Sequence, residues 1–366
     1  MSIRIENVLQ YFVLLGATAA AAVAGPALAV QRTFVASTGV DTNPCTLTSP
    51  CRGFAAAVGA VATNGEVVIL DSAGYGPVTI NQPVTITAPK GVYAGVTVTT
   101  GTGIAVAAGG GRVTLRGLTI NGQGGNIGID VQSVAVLELY DVDISGLPTG
   151  LQAAGGTITA AGLMVRESLS QGIHLTSGAR MHMQNSRVEN NLQGVVAQDG
   201  SWFNAVDSVF VGNYYGAIDI SAGAGQTAVI NLEHCYIADN GHSFAAIKTN
   251  ALDPTARVDG TLTRNIITAN SGYGVIVGNP YGSEGSHTIN IVDNTITNNA
   301  AIGILIQVPQ FDTTKAKIVL SGNTISRNDW GVGCNGAGVV TRGNNTVRDN
   351  VSNQLTCAAI VNETGQ

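Results

Sequence analysis

Two residues of opposite charge, Asp219 and Lys248, are the candidates for chemistry. Each follows an isoleucine in a similar short segment, Gly216-Ala217-Ile218 and Ala245-Ala246-Ile247. A carboxylate can serve as a general acid or base, and a nearby cation can stabilise charge that develops in a transition state. Asp219 is therefore a candidate acid or base, with Lys248 or Arg257 as a candidate charge stabiliser, and Asp219 and Lys248 are the candidate catalytic residues. The alternative is a solvated ion pair on a sheet surface, which contributes little to stability.

Other polar and aromatic residues lie in or near four long connecting segments, 221–227, 249–256, 278–286 and 307–315. Long loops on a rigid scaffold commonly carry function. We expect these loops to line one side of a groove that contains Asp219 and Lys248. The predicted binding residues are His174, at an outward strand position two coils before Asp219, and the loop residues Asp253, Arg257, Tyr281, Glu284, His287 and Asp312.

The sequence predicts no metal site and no cofactor. Its five histidines do not have the spacing of a metal motif such as His-Glu-x-x-His, and no phosphate-binding loop occurs. No segment supplies the clustered carboxylates that bind calcium. A second charged column, Asp207, His234, Arg264 and Asp293, is interpreted as a self-neutralising ladder along an edge.

An internal repeat places these residues relative to one another. From about residue 113 to residue 350 an apolar residue recurs at intervals of 21 to 30, most clearly as Val188, Phe210, Ile237, Ile267, Ile296, Ile325 and Val347. Two residues before it comes Ser, Cys or Asn, and three residues after it always Asn: Asn191, Asn213, Asn240, Asn270, Asn299, Asn328 and Asn350. Repeats of this length indicate a stacked solenoid.

Each copy of the repeat alternates apolar and polar residues, which is the period of a strand with one buried face. Gly and Asn separate the strands and suit sharp turns, and stacked Asn side chains can bond along a column. The sequence therefore predicts an all-β parallel β-helix of about ten coils, rather than a leucine-rich horseshoe or a β-sandwich. A short capping helix is expected within 52–62, with Phe54, Val58 and Val61 closing the core.

Composition narrows the possible classes of protein. The 366 residues include 48 Gly, only 11% charged residues and a net charge of −6. The sequence lacks the strict Gly-X-Y period of collagen, and its 45% hydrophobic content argues against a disordered chain. One long apolar run excludes a membrane protein of many spans. No basic face is visible, so no nucleic-acid partner is expected.

The chain is predicted to be exported. Residues 1–29 have the pattern of a secretory signal peptide, with an apolar run and a small-residue cleavage site at Ala27-Leu28-Ala29. An uncleaved membrane anchor is the alternative. The expected organisation is a signal peptide over 1–29, a cap segment over 30–64 and a β-helix over 65–366. No membrane span remains after cleavage, and the protein is expected to be secreted, periplasmic or on the cell surface.

The cysteines fit an oxidising compartment. Cys45 and Cys51 lie in one short polar loop and are predicted to form a disulfide. Cys334 and Cys357 are 23 residues apart, about one coil, and are predicted to form a second. Cys235 is left over and is interpreted as a small stacked residue in the Ser/Asn column.

The repeat over about 65–361 resembles the right-handed parallel β-helix of the pectin-lyase-like superfamily, which includes pectate lyases, polygalacturonases, alginate epimerases and many phage tailspikes. The opening segments from Thr33 to Val58 and from Gly65 to Pro89 also look like the start of secreted bacterial β-helix proteins. The resemblance implies a site on the outer face of one sheet. The chain departs from the polygalacturonase Asn-Thr-Asp motif, because its Asn-Thr pairs precede Ile296, Ile325 and Val347.

Three functions remain open at this stage. The first is an exported protein that binds a polysaccharide along the groove without assured catalysis. The second is a polysaccharide lyase or glycoside hydrolase that uses the same groove. The third is a structural, tailspike-like β-helix. The expected state is a monomer or a homotrimer, with a polysaccharide as partner.

Overall fold

A computed structural model describes residues 30–242, 244–278, 285–307, 316–335, 338–355 and 359–362. The described chain forms three parallel β-sheets and one short helix, α1, over Phe54–Ala60. Successive strands pass from one sheet to the next, so that each pass through all three sheets completes one coil.

The first sheet has 14 strands. They are β1 Val30–Val35, β2 Val61–Ile69, β5 Val84–Thr87, β8 Arg112–Arg116, β11 Val136–Tyr140, β14 Thr157–Ala161, β17 Arg180–Gln184, β20 Trp202–Val206, β23 Thr227–Glu233, β26 Arg257–Thr263, β29 Ser286–Val292, β32 Ala316–Ser321, β35 Gly338–Thr341 and β38 Ala359–Asn362.

The second sheet has 12 strands, most of them of only three residues. They are β3 Ala73–Gly74, β6 Ala94–Val98, β9 Leu118–Gly122, β12 Asp143–Ser145, β15 Met164–Arg166, β18 Arg187–Glu189, β21 Val209–Val211, β24 Tyr236–Ala238, β27 Ile266–Thr268, β30 Thr295–Thr297, β33 Thr324–Ser326 and β36 Thr346–Arg348.

The third sheet, which carries the candidate site, also has 12 strands. They are β4 Val78–Ile80, β7 Thr102–Ala107, β10 Ile127–Ser133, β13 Thr149–Ala154, β16 Gln171–Thr176, β19 Gln193–Ala197, β22 Ile218–Ala222, β25 Ala245–Ala251, β28 Tyr273–Gly278, β31 Ile302–Gln307, β34 Trp330–Asn335 and β37 Ser352–Leu355.

One continuous core runs along the inside of the coils. The inward residues of each strand are buried aliphatic side chains, and they stack on the equivalent residues of the next coil, as in the column Val188, Phe210 and Ile237. No single coil could bury its own apolar face, so stacking supplies the stability. The predicted parallel β-helix is confirmed.

The amino-terminal end of the core is closed as predicted. Helix α1 buries Phe54, Ala57 and Val58, and Val61 directly after it is also buried. The ring of Phe54 packs against Tyr75, with their centroids 5.3 Å apart. The predicted Cys45–Cys51 disulfide is present beside the helix. Cys357 lies outside the described residues, so the Cys334–Cys357 disulfide stays a prediction.

Two columns of polar side chains run along corners of the coil. In one column each Asn side chain donates to the Asn carbonyl of the next coil, from Asn191 through to Asn350, at donor–acceptor distances of 2.8 to 3.1 Å. The second column begins as Ser186 and Ser208 and continues through Cys235 to Asn265, Asn294, Asn323 and Asn345. These ladders satisfy buried turn amides and fix the register of the coils.

Cys235 lies in the second polar column, as the sequence indicates. It is buried and free, its backbone N–H donates to the side chain of Asn265, and burial raises the pKa of its thiol to about 11. Within the part of the chain described by the structure, no helix is long and apolar enough to cross a membrane.

Candidate functional site

One row of side chains on the outer face of the third sheet contains both catalytic candidates. Asp219 on β22 is directly in register with Lys248 on β25. The row extends through adjacent coils as Asp130, Gln152, His174, Val196, Asp219, Lys248, Ile276 and Leu305. Since neighbouring strands lie about 4.8 Å apart, Asp219 and Lys248 are close neighbours across one strand gap.

A cleft of about 340 Å³ opens over this pair. Asp219 and Lys248 form part of its floor, with Gln193 one coil earlier. Tyr215 and Phe244 stand at its rim, on the turns that enter β22 and β25. Both rings are about half exposed, at 41% and 50% respectively. The cleft therefore combines polar groups at the floor with apolar surface at the rim, as small-molecule sites commonly do.

The rim aromatics are part of a contacting cluster. The rings of Tyr215 and Phe244 are perpendicular, with an interplanar angle of 89° and centroids 5.5 Å apart. Tyr214 packs edge-on against Tyr215 and stacks on His242 at 5.0 Å. We call these four residues the aromatic cluster. Its members hold one another in place, so that two rings form a fixed corner that is open to solvent.

The aromatic cluster depends on an unusually long turn. Six residues separate Asn240 from the inward Ile247, whereas four separate the equivalent Asn213 from Ile218 and Asn270 from Val275. The additional length brings His242 and Phe244 beside the tyrosines of the preceding coil. The sequence patterns used above do not indicate Phe244, His242 or Gln193 as site residues. The extra residues between Asn240 and Ile247 are the signal that could have identified His242 and Phe244.

The cleft differs in position from the expected groove. The prediction placed the site beside the long loops 221–227, 249–256, 278–286 and 307–315, of which 279–284 and 308–315 lie outside the described residues, so a groove beside these loops stays a prediction. The cleft instead lies at the amino ends of the strands of the third sheet, where the turns from the second sheet arrive. The shared row of Asp219 and Lys248 is confirmed by the strand register, and the walls of this cleft come from the turns that enter the strands.

Burial gives Asp219 an unusual electrostatic environment. It raises the pKa of the Asp219 carboxyl above its ordinary value, and the positive charge of Lys248 partly offsets that effect. Among the described residues, neither Asp219 nor Lys248 forms an ion pair with an N···O distance of 4.0 Å or less. Both groups thus remain available to a ligand, and the carboxyl has an increased tendency to hold a proton.

Three predicted binding residues lie away from the cleft. His174 is half-buried on β16, two coils before Asp219, with the buried Val196 between them. Asp253 accepts bonds from the backbone and hydroxyl of Thr255, which lower the pKa of its carboxyl. Arg257 pairs with Asp259 on the first sheet. The structure therefore does not bring these three side chains to Asp219 and Lys248.

His287 was expected to overhang the groove, and this prediction was wrong. Its side chain is 1% exposed and points into the core from β29, in register with Val258 and Ala316. Neither ring nitrogen has a hydrogen-bond partner. Burial lowers the pKa of His287 to about 4. Tyr281, Glu284 and Asp312 lie outside the described residues, so their predicted binding roles stay predictions.

The second charged column lies at a corner of the coil. Asp207, His234, Arg264 and Asp293 all have a positive φ, between 49° and 56°. His234 Nδ1 lies 3.8 Å from Asp207 Oδ1, and Arg264 pairs with Glu233. These residues form turns at the surface, where His234 lies beside Asp207 and the ion-pair partner of Arg264 is Glu233, outside the column.

Calcium would require several oxygen ligands at one point. Throughout the described ranges, no group of three or more His, Cys, Asp or Glu side chains is arranged to hold a metal ion. The residues at the cleft, with one carboxylate beside one lysine, do not fit such a site.

Comparison with known proteins identifies the fold. Residues 95–257 match the family model of the right-handed beta helix region. No curated protein matches the sequence significantly. The right-handed sense predicted from the resemblance is thus confirmed.

Two solved structures have similar folds. The A-module of the mannuronan C-5 epimerase AlgE4 of Azotobacter vinelandii has a TM-score of 0.58 at 15% sequence identity, covering 82% of this chain and 91% of the module. The XylC protein, solved in complex with xylose, has a TM-score of 0.50 at 6% identity, covering 88% of this chain and 86% of that one. At these identities the likeness concerns the fold.

Proposed function

We propose that this right-handed parallel β-helix protein, which has the pectin-lyase-like fold, binds a polysaccharide in the cleft above Asp219 and Lys248. The observation that carries the proposal is the corner of exposed rings at Tyr215 and Phe244 beside a polar floor. A sugar ring has an apolar C–H face and a rim of hydroxyls. The rings of Tyr215 and Phe244 can pack against the apolar face, and the charged and amide groups of the floor can form hydrogen bonds with the hydroxyls.

The names of the two similar structures support a carbohydrate ligand. One is an epimerase of mannuronan, and the other was solved with xylose bound. Export is part of the proposal, with residues 1–29 as a signal peptide, 30–64 as a cap segment and 65–366 as the β-helix. The Cys45–Cys51 disulfide is consistent with an oxidising compartment.

Removal of either ring should weaken binding. We expect Tyr215→Ala and Phe244→Ala each to reduce affinity for a bound polysaccharide by about five- to thirtyfold, because each ring contributes roughly 1–2 kcal/mol of contact energy. Affinity gel electrophoresis across a panel of soluble polysaccharides measures the change. Tyr236→Ala is the matched control, since Tyr236 is 42% exposed but lies on the second sheet.

Unchanged retardation of both cleft variants would place the binding surface elsewhere on the molecule. A loss of retardation in Tyr236→Ala of the same size would indicate a general effect on the fold. Far-ultraviolet circular dichroism of the three variants separates that effect from loss of the contact.

A second candidate function is cleavage of the bound polysaccharide. It is favoured by the raised pKa of Asp219 in a cleft beside a cation, an arrangement that suits a general acid. We expect Asp219→Asn to lower the rate of chain cleavage at least about 100-fold while binding is retained. Release of reducing ends and of unsaturated products measures the rate. Full activity in this variant would exclude the role proposed for Asp219.

A further inference from the structure

We infer that the polysaccharide bound in the cleft is uncharged. The inference rests on the proposed function and specifies its ligand class. It follows from the distribution of charge over the third sheet, along which a bound chain would extend.

The third sheet has almost no positive charge. In its strands as the structure describes them, Lys248 is the only lysine and there is no arginine, while Asp130 and Asp219 supply two carboxylates. Among the described residues lining the cleft, Lys248 is also the only cation, and Asp219 lies next to it in register. The floor of the cleft therefore carries close to no net charge.

The arginines are engaged on the other two sheets and their turns. Seven of them form ion pairs with carboxylates of the surface: Arg32–Glu66, Arg112–Glu138, Arg166–Asp143, Arg187–Glu189, Arg257–Asp259, Arg264–Glu233 and Arg348–Asp349. Three others lie over aromatic rings, Arg52 over Tyr75, Arg116 over Tyr140 and Arg180 over Trp202. These cations are not directed to the cleft.

An acidic polysaccharide would meet this surface unfavourably. A polyuronate carries one negative charge on every sugar, and a bound stretch of several sugars would face one lysine and two carboxylates. The chain as a whole also has a net charge of −6, which repels a polyanion at a distance.

A neutral sugar chain can form hydrogen bonds with the polar groups of the cleft and pack against its two rings. The Asp219 carboxylate can accept bonds from hydroxyls, Lys248 can donate, and the amide of Gln193 can do both. Tyr215 and Phe244 supply two ring surfaces at a right angle, against which a pyranose can place one face and one edge. Recognition by these groups requires no charge on the ligand.

The test compares two polymers with one backbone, hydroxyethyl cellulose and carboxymethyl cellulose, together with neutral xylan, galactomannan and dextran and acidic alginate and polygalacturonate. We expect retardation of the protein by at least one neutral polymer and by none of the acidic ones. Affinity for the neutral polymer should change less than about twofold between 0.01 M and 1 M NaCl, because screening acts only on charged partners.

The outcomes separate the inference from the proposed function. Binding of acidic polymers that is lost at high salt and lost in Tyr215→Ala and Phe244→Ala would overturn the inference but retain the cleft as the binding site. Retardation by no polymer of either class would overturn the proposed function itself. Salt-independent binding of a neutral polymer that requires Phe244 would support both.

Discussion

Replacement of Asn270 by alanine is expected to lower the free energy of unfolding by about 3 kcal/mol. Asn270 Oδ1 accepts from the backbone N–H and the side-chain amide of Asn240, and its own amide donates to Ile237 O and Asn299 Oδ1. Asn270→Ala leaves the Asn240 N–H and the Ile237 carbonyl buried without these partners. A buried unsatisfied group costs roughly 1–3 kcal/mol, and a small cavity adds to the cost.

Urea unfolding followed by circular dichroism measures this loss as a shift of the midpoint. The matched control is Asn290→Ala, because Asn290 lies half-buried on the outer face of β29 and outside the ladder. We expect a change below about 0.5 kcal/mol for the control. Equal stabilities of the two variants would mean that the ladder contributes nothing beyond ordinary packing.

The stability of the protein should fall by about 3 kcal/mol between pH 7 and pH 4 because of His287 alone. The pKa of His287 is lowered from 6.5 to about 4, chiefly by burial, which the nearby Thr249 backbone and the charge of Asp259 offset only in part. A difference of one in pKa between the folded and unfolded states changes the free energy of unfolding by about 1.4 kcal/mol. In the unfolded chain the imidazole can take up a proton as soon as the pH falls below 6.5.

The direction of the effect follows from that difference. Above pH 6.5 His287 is neutral in both states, and its contribution is constant. Between 6.5 and about 4 the unfolded state binds a proton that the folded state excludes, so the free energy of unfolding decreases as the pH falls. Below about pH 4 the folded state also binds the proton, and the loss is complete.

His287→Leu isolates this contribution, because leucine fills a similar apolar space without a titrating group. Over the same pH range, we expect the free energy of unfolding of the variant to decrease by about 3 kcal/mol less than that of the original protein, as measured by urea unfolding at each pH. His182→Gln, at an exposed position on the first sheet, should retain the original pH dependence. Identical pH profiles for His287→Leu and the original protein would contradict the assignment.

The repeat predicted the fold and the register together. In a parallel β-helix each residue stacks on the equivalent residue of the next coil, and a slip by one residue would turn the apolar side chains outward. The period of the apolar residues and of the Asn columns is therefore sufficient to predict the neighbours of Asp219 and Lys248. The same alternation of buried and exposed positions indicates that the side chain of His287 points into the core, because His287, Ile289 and Ile291 share one side of β29.

The sequence by itself determined the elements that repeat: the strands, the inward core, the Asn ladders and the common row of Asp219 and Lys248. Only the tertiary structure decided where the cleft lies, since its rim comes from turn residues that do not repeat. Tyr215 and Phe244 are 29 residues apart, and they meet because the longer turn after Asn240 folds against the preceding coil. Periodic positions are fixed by stacking with the coils on both sides. A turn outside the period takes its conformation from contacts that no local pattern encodes.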